Sequence, residues 1–119
     1  MRISELSVKT QVSVHRLRRY ESAGLIESRR QPNGYRDYED KTVRHVVFIA
    51  MARDMGFALP WIAEYLPRFK AGTLSSKEMV QAIHQRVAEI DAVMAEQQRL
   101  RQMLMDHIAW FHTQQRKSQ

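Results

Sequence analysis

The chain has 119 residues, 44% of them hydrophobic and 27% charged, with only four Gly and three Pro, a balance that points to a helical protein with few loops. It contains no cysteine, which excludes disulfides, thiolate metal sites and cysteine redox chemistry. The formal net charge is +6, and residues 1–45 hold ten of the 19 Lys and Arg but six of the 13 Asp and Glu, so a polyanion is the expected partner of the first third, although an ordinary basic surface would show the same balance.

The opening Met-Arg-Ile-Ser-Glu-Leu lacks the uninterrupted apolar core of a signal peptide. No run in the chain approaches the ~20 apolar residues needed to span a membrane. Ser4 has the chemistry of an N-cap for a first short helix carrying Leu6 and Val8. Thr10-Gln11-Val12-Ser13 reads as a turn, with Ser13 capping a second helix that ends near Gly24. Val14 and Leu17 lie on the underside of that helix, while Arg16, Arg18 and Arg19 cluster guanidinium groups on the outside. Two short helices joined by a tight turn, the second rich in arginine, form a helix-turn-helix candidate able to enter a DNA groove.

Asn33-Gly34 is a strong turn signal, because both residues tolerate positive φ. The flanking Arg and Tyr residues suit short strands, and a hairpin over about residues 28–38 is expected, resting on the helices because a lone two-stranded ribbon is marginal. A third helix runs from Asp40 to about Met55, with Val43, Val46, Val47, Ala50 and Met51 as its apolar stripe. A fourth runs from about Leu59 to Phe69, with Pro60 in its first turn and Ile62, Tyr65, Leu66 and Phe69 facing inward.

After a linker at residues 71–75, the last helix starts near Ser76. Val80, Ile83, Val87, Ile90, Met94, Gln97, Arg101, Leu104, Ile108 and Phe111 alternate three and four apart, close to a heptad seam. A small head cannot cover so long a stripe, whereas a second copy of the chain can, in a parallel or antiparallel coiled coil. A helix folded back on its own domain is the simpler alternative. The expected division is a DNA-binding domain over residues 1–70 and a linker with dimerisation helix over residues 71–119.

Ile3 with Leu6, Val12-Ser13-Val14, Leu17-Arg18-Arg19-Tyr20-Glu21, Gly24-Leu25-Ile26, Asn33-Gly34-Tyr35-Arg36-Asp37-Tyr38 and Arg53-Asp54-Met55-Gly56-Phe57, with Ile62 and Leu66, resemble the MerR family of bacterial transcription regulators. The resemblance runs in register over the first 70 residues. It implies a mostly α fold: a winged helix-turn-helix with a small β-hairpin wing, a second helix pair and a long C-terminal antiparallel coiled-coil dimerisation helix. It further implies a homodimer on a dyad-symmetric promoter operator. Bending and untwisting that DNA would let RNA polymerase engage misaligned promoter elements, so the polymerase is an indirect partner.

The resemblance also assigns roles. Arg18 matches the recognition-helix arginine near base edges, and Tyr20 a residue at the phosphate backbone. Tyr35 and Arg36 match wing contacts to phosphate, Gly34 permits the wing turn, and Tyr38 closes the same motif and is grouped with them. His15 and Arg16, at the exposed start of the recognition helix, are candidate groove readers. The Gly56-Phe57 turn approaches the backbone. Three departures stand out: Arg19 replaces a common aromatic residue and could add a phosphate contact, Gln11 replaces a turn glycine and so calls for another turn geometry, and Ala58 replaces a capping serine.

Metal-sensing relatives carry cysteines at the start of the long helix, where this chain has Ser75 and Ser76, so thiolate sensing is not expected. A separate C-terminal ligand domain is not expected either, as the chain ends at Gln119. His107 and His112 are five apart rather than four, which does not put two imidazoles on one helix face, and no metal or cofactor is expected. Trp61, Tyr65, Phe69, Trp110 and Phe111 could line a pocket for a small organic effector, although core packing explains them more simply. No catalytic constellation is evident, and an enzyme is not expected. A cytoplasmic location away from membranes follows. A nonspecific nucleoid-type DNA-binding protein and a coiled-coil adaptor are the rival readings.

Overall fold

The computed structural model describes residues 1–117. In chain order it contains α1 (Ile3–Thr10), α2 (Val14–Ser22), the short strands β1 (Arg29–Arg30) and β2 (Arg36–Asp37), α3 (Thr42–Asp54), α4 (Leu59–Lys70) and α5 (Ser76–Lys117). Two compact units divide between Met79 and Val80. The first therefore reaches past residue 70 and includes the start of α5. Its core gathers Leu6, Leu17, Leu25, Ile26, Val46, Ile49, Ile62 and Leu66, all buried.

The helix-turn-helix forms for local reasons. Ser13 accepts a hydrogen bond from the Arg16 N–H at 3.1 Å and so satisfies a free amide of α2. Leu17 and Tyr20 turn inward. Two expectations change. Ser4 lies within α1 rather than capping it; the helix begins at Ile3, with Arg2 as an extended N-cap that makes no side-chain bond. The start is set from outside: the Met1 ammonium meets Asp37 Oδ1 and the Tyr38 carbonyl, each at 2.8 Å, and the Tyr38 N–H donates to the Met1 carbonyl at 2.7 Å. Gln11 does not need another turn geometry. It adopts the left-handed backbone of a glycine (φ 60°, ψ 25°), donates its N–H to Ser7 O at 2.9 Å and ties Nε2 to Val8 O at 3.0 Å.

In the hairpin Arg29 faces Asp37 and Arg30 faces Arg36, antiparallel. The turn is closed by the Gly34 N–H on Gln31 O at 2.9 Å and the Gln31 N–H on Tyr35 O at 2.7 Å. Only Gly34 takes a positive φ (85°), while Asn33 instead accepts the Tyr35 N–H on Oδ1 at 3.1 Å. This is the arrangement of a turn followed by a left-handed bulge residue rather than two left-handed residues in succession.

α3 packs against both α1 and α4. Its buried residues are Thr42, Val46, Phe48, Ile49 and Ala52, so the expected stripe is displaced: Val47 and Met51 are exposed. The helix is apolar nearly all round from Val46 to Ala52, so periodicity could not choose a face; the Phe48 ring decides it by stacking on Phe69 with centroids 4.3 Å apart. In α4, Ile62 and Leu66 are buried while Tyr65 and Phe69 are half-buried. Ala58 supplies no cap to this helix.

α5 opens with a capping box. Ser75 Oγ accepts the Glu78 N–H at 3.2 Å, and Glu78 Oε1 reaches back to the Ser75 N–H at 3.5 Å. Arg68 grips the same carboxylate with two bonds, 2.5 and 2.8 Å, and these bonds, with those from Ser75, lower the Glu78 pKa to about 2. At 42 residues, α5 would be ~63 Å long.

Candidate nucleic-acid interface

α2 presents His15, Arg18 and Arg19 to solvent. Arg16 is half-buried and donates Nη2 to the Tyr20 hydroxyl at 2.8 Å. Tyr20 is itself buried, and its hydroxyl accepts this bond from below Arg16. On the wing, Gly34, Tyr35 and Arg36 are exposed, and the Arg2 guanidinium lies 3.9 Å from the centroid of the Tyr35 ring.

These groups converge. A recess of about 600 Å³ between α2, the wing and the start of α1 is lined by Arg2, Arg18, Gly34, Tyr35 and Arg36, among others, with no carboxylate in its lining. Three guanidiniums line one hollow, of which Arg36 is already paired with Glu21 from behind; together they attract an anion, and a guanidinium fork matches phosphate geometry. A smaller recess of about 320 Å³ lies where α2 meets the α3–α4 corner. Arg16, Arg19 and Arg53 line it with Tyr20, Asp54 and Leu59. Thus α2 carries a cationic hollow toward the wing and another toward that corner. Sequence reasoning gave Arg53 no role; its place in the last turn of α3, just before the Gly56 turn, was the available signal.

Two of the expected interface residues, Tyr38 and Phe57, are buried. Tyr38 is 2% exposed, and its hydroxyl donates to Glu21 Oε1 at 2.5 Å. Burial, then the neighbouring Glu21, raises the Tyr38 pKa. A side chain held in this way braces the wing from within, while Tyr38 also borders the recess shared by Arg18, Tyr35 and Arg36. The Phe57 ring is also buried, stacked on Trp61 with centroids 4.1 Å apart; its carbonyl accepts from Arg53 Nη1 at 3.2 Å. Both were grouped with the interface as parts of motifs, and their aromatic bulk went to the core instead.

The seam residues of α5 are all exposed, including Gln97 and Arg101; its apolar members range from Ile83 at 38% to Met94 at 64%. No residue of this helix is buried. The five aromatic residues suggested as a pocket divide into separate pairings. Trp61 stacks on Tyr65 at 4.5 Å and Phe69 on Phe48, while Trp110 meets Phe111 edge-on at 4.8 Å. His107 Nδ1 is bonded to the Met103 carbonyl at 2.8 Å, and the described residues hold no cluster of three or more metal-type side chains. No helix among them is long and apolar enough to cross a membrane.

Comparison with known proteins agrees with this geometry. Residues 1–68 match the model of the MerR HTH family regulatory proteins, and residues 43–107 match the model described as MerR, DNA binding. The chain is 31% identical over 106 residues to the HTH-type transcriptional regulator CueR of Salmonella typhi, covering 88% of this chain and 77% of that protein. It is 32% identical over 106 residues to the mercuric resistance operon regulatory protein of Bacillus cereus, covering 88% and 80%. Among solved structures, the transcription regulator PbrR691 from Ralstonia metallidurans CH34, in complex with lead(II), superposes with a TM-score of 0.72 at 29% identity over 89% of this chain and 83% of that one. HiNmlR, a regulator lacking the sensor domain and bound to promoter DNA, shares the fold with a TM-score of 0.60 at 20% identity, over 83% and 76%.

Proposed function

The chain belongs to the MerR family and is a sequence-specific DNA-binding transcription regulator; from that premise we propose that it binds a dyad-symmetric promoter operator as a homodimer, reading bases with α2 and gripping phosphates with the wing. The observation that carries this reading is the carboxylate-free recess joining Arg18 of α2 to Tyr35 and Arg36 of the wing. A recognition helix enters the major groove, and a hairpin beside it meets the flanking backbone. His15, Arg16 and Arg18 face the bases, while Arg19, Gly34, Tyr35 and Arg36 serve the backbone, Tyr20 supporting through Arg16. Residues 1–70 form the DNA-binding part. Residues 71–119 form the linker and dimerisation helix, of which Ser118 and Gln119 lie outside the described residues.

The exposed seam of α5 supports a coiled coil between two copies, with Val80 through Phe111 covered, and the antiparallel orientation is what membership of the family implies. Holding two heads on one duplex supplies the means to bend and untwist it, and hence to control transcription through RNA polymerase. A nucleoid-type or adaptor role is not favoured, because family membership points to sequence-specific binding, whereas the arginine-lined recess alone would grip the phosphates of any duplex. The relatives named for mercury and lead do not transfer a thiolate site: none of these 119 residues is a cysteine. No cofactor and no catalytic role belong to the reading, which places the protein in the cytoplasm.

Arg18 and Arg36 test the division of labour. Arg18→Ala should relax sequence preference and cost about 1–3 kcal/mol on the preferred duplex. Arg36→Ala should weaken binding to every duplex and make the log-log salt slope shallower by about one. Unchanged affinity in both variants would refute the helix-and-wing interface.

A further inference from the structure

Glu21 sits in the last turn of α2, pointing at the wing, with its side chain 17% exposed. Oε1 accepts from the Tyr38 hydroxyl; Oε2 accepts from Ser28 Oγ at 3.3 Å and from Arg36 Nη1. One carboxylate of the recognition helix thus holds Ser28 before β1, Arg36 at the start of β2 and Tyr38 just after that strand. The hairpin pairs only two residues of each strand and cannot fix its own orientation. The contact to Arg36 differs in kind from the other two. Tyr38 is interior, but the Arg36 side chain is half exposed and lines the cationic recess. Among the described contacts only its Nη1 bonds the carboxylate, which leaves the Nη2 and Nε donors of a rigid planar fork for another acceptor.

We propose that Glu21 is a positioning residue for DNA binding: its carboxylate holds one side of the Arg36 guanidinium so that the other side is presented, already oriented, to a backbone phosphate. The assignment rests on the wing contact proposed above. A flexible arginine must lose rotamer freedom on meeting phosphate, and a buttressed one has lost it beforehand. The same carboxylate also fixes the distance between Arg36 and Arg18, which share the recess. An anion beside a DNA-binding surface would ordinarily oppose binding; here the opposition is offset because its charge is spread over a guanidinium and two hydroxyls.

The test uses the full chain and a duplex of about 30 base pairs, three helical turns, recovered by in vitro selection against it. Affinity is read by fluorescence anisotropy across a salt series. Glu21→Gln keeps the side-chain shape and should bind about tenfold more weakly, with a log-log salt slope shallower by up to about one. In an Arg36→Ala background the same change should cost nothing further, which a purely structural role would not produce. Arg36→Lys retains the charge but replaces the rigid planar fork by a rotatable ammonium that Glu21 cannot orient, so it too should lose about tenfold. That variant leaves Glu21 intact and decides the matter if Glu21→Gln fails to fold. Binding by Glu21→Gln as tight as or tighter than the parent, an equal loss in both backgrounds, or parent affinity in Arg36→Lys would each overturn the proposal. Unchanged affinity in Arg36→Ala would overturn the wing contact itself, and the role of Glu21 with it.

Discussion

Gln11 holds a left-handed backbone that costs an L-residue about 1–2 kcal/mol, offset in part by its bond to Val8 O. Glycine adopts that conformation freely but loses more entropy on folding. Gln11→Gly should therefore stabilise the protein by about 0.5–1 kcal/mol in urea unfolding; a destabilised variant would mean that the side-chain bond outweighs the strain. His45 makes a second residue-scale case. Burial, then the positive charges of Lys70, Lys41 and Arg44, lower its pKa, against a smaller opposing effect of Glu39. The folded chain therefore binds this proton less readily than the unfolded chain. Above the ordinary imidazole value of 6.5 both are neutral and nothing changes. As pH falls below 6.5 the unfolded chain charges first, and stability is lost until the folded value is passed. The melting temperature of the parent should drop more than that of His45→Gln between about pH 7 and about pH 5.5; parallel curves would contradict this.

At the scale of elements, α4 lacks a cap at Ala58, and Pro60 has no N–H to be satisfied. The first amide that a cap could serve is Trp61. Ala58→Ser places a hydroxyl there and should add about 0.5–1 kcal/mol to thermal stability, without changing DNA affinity. Features encoded by local chemistry were legible without a structure: the Ser13 cap, the turn at Gly34, the bounds of α4 and the start of α5. What escaped was decided by tertiary packing. The face of α3 could not be read from a helix that is apolar nearly all round, and Phe48 settled it from within the core. Tyr38 and Phe57 belong to motifs whose other members are mostly exposed, so proximity in sequence suggested a shared surface. The joint of Glu21 with Ser28, Arg36 and Tyr38 brings together residues up to 17 positions apart, and no spacing rule announces it.

For the molecule as a whole, two kinds of surface must be reconciled. The first compact unit carries cationic recesses on both sides of α2, and α5 carries an apolar seam with no buried residue. A seam alternating three and four over ten positions needs a partner helix, and a second copy supplies one related by symmetry. Ile90→Lys puts a charge at the middle of that seam and should shift the chain from dimer to monomer in sedimentation velocity; an unchanged dimer would place the interface elsewhere.

The central claim is that two such heads, joined through α5, lie on one duplex. Hydroxyl-radical footprinting of the full chain on its selected duplex tests it most directly. The account requires two protected patches, symmetric about a dyad and separated by a whole number of helical turns. A single patch, or uniform protection along the duplex, would contradict it.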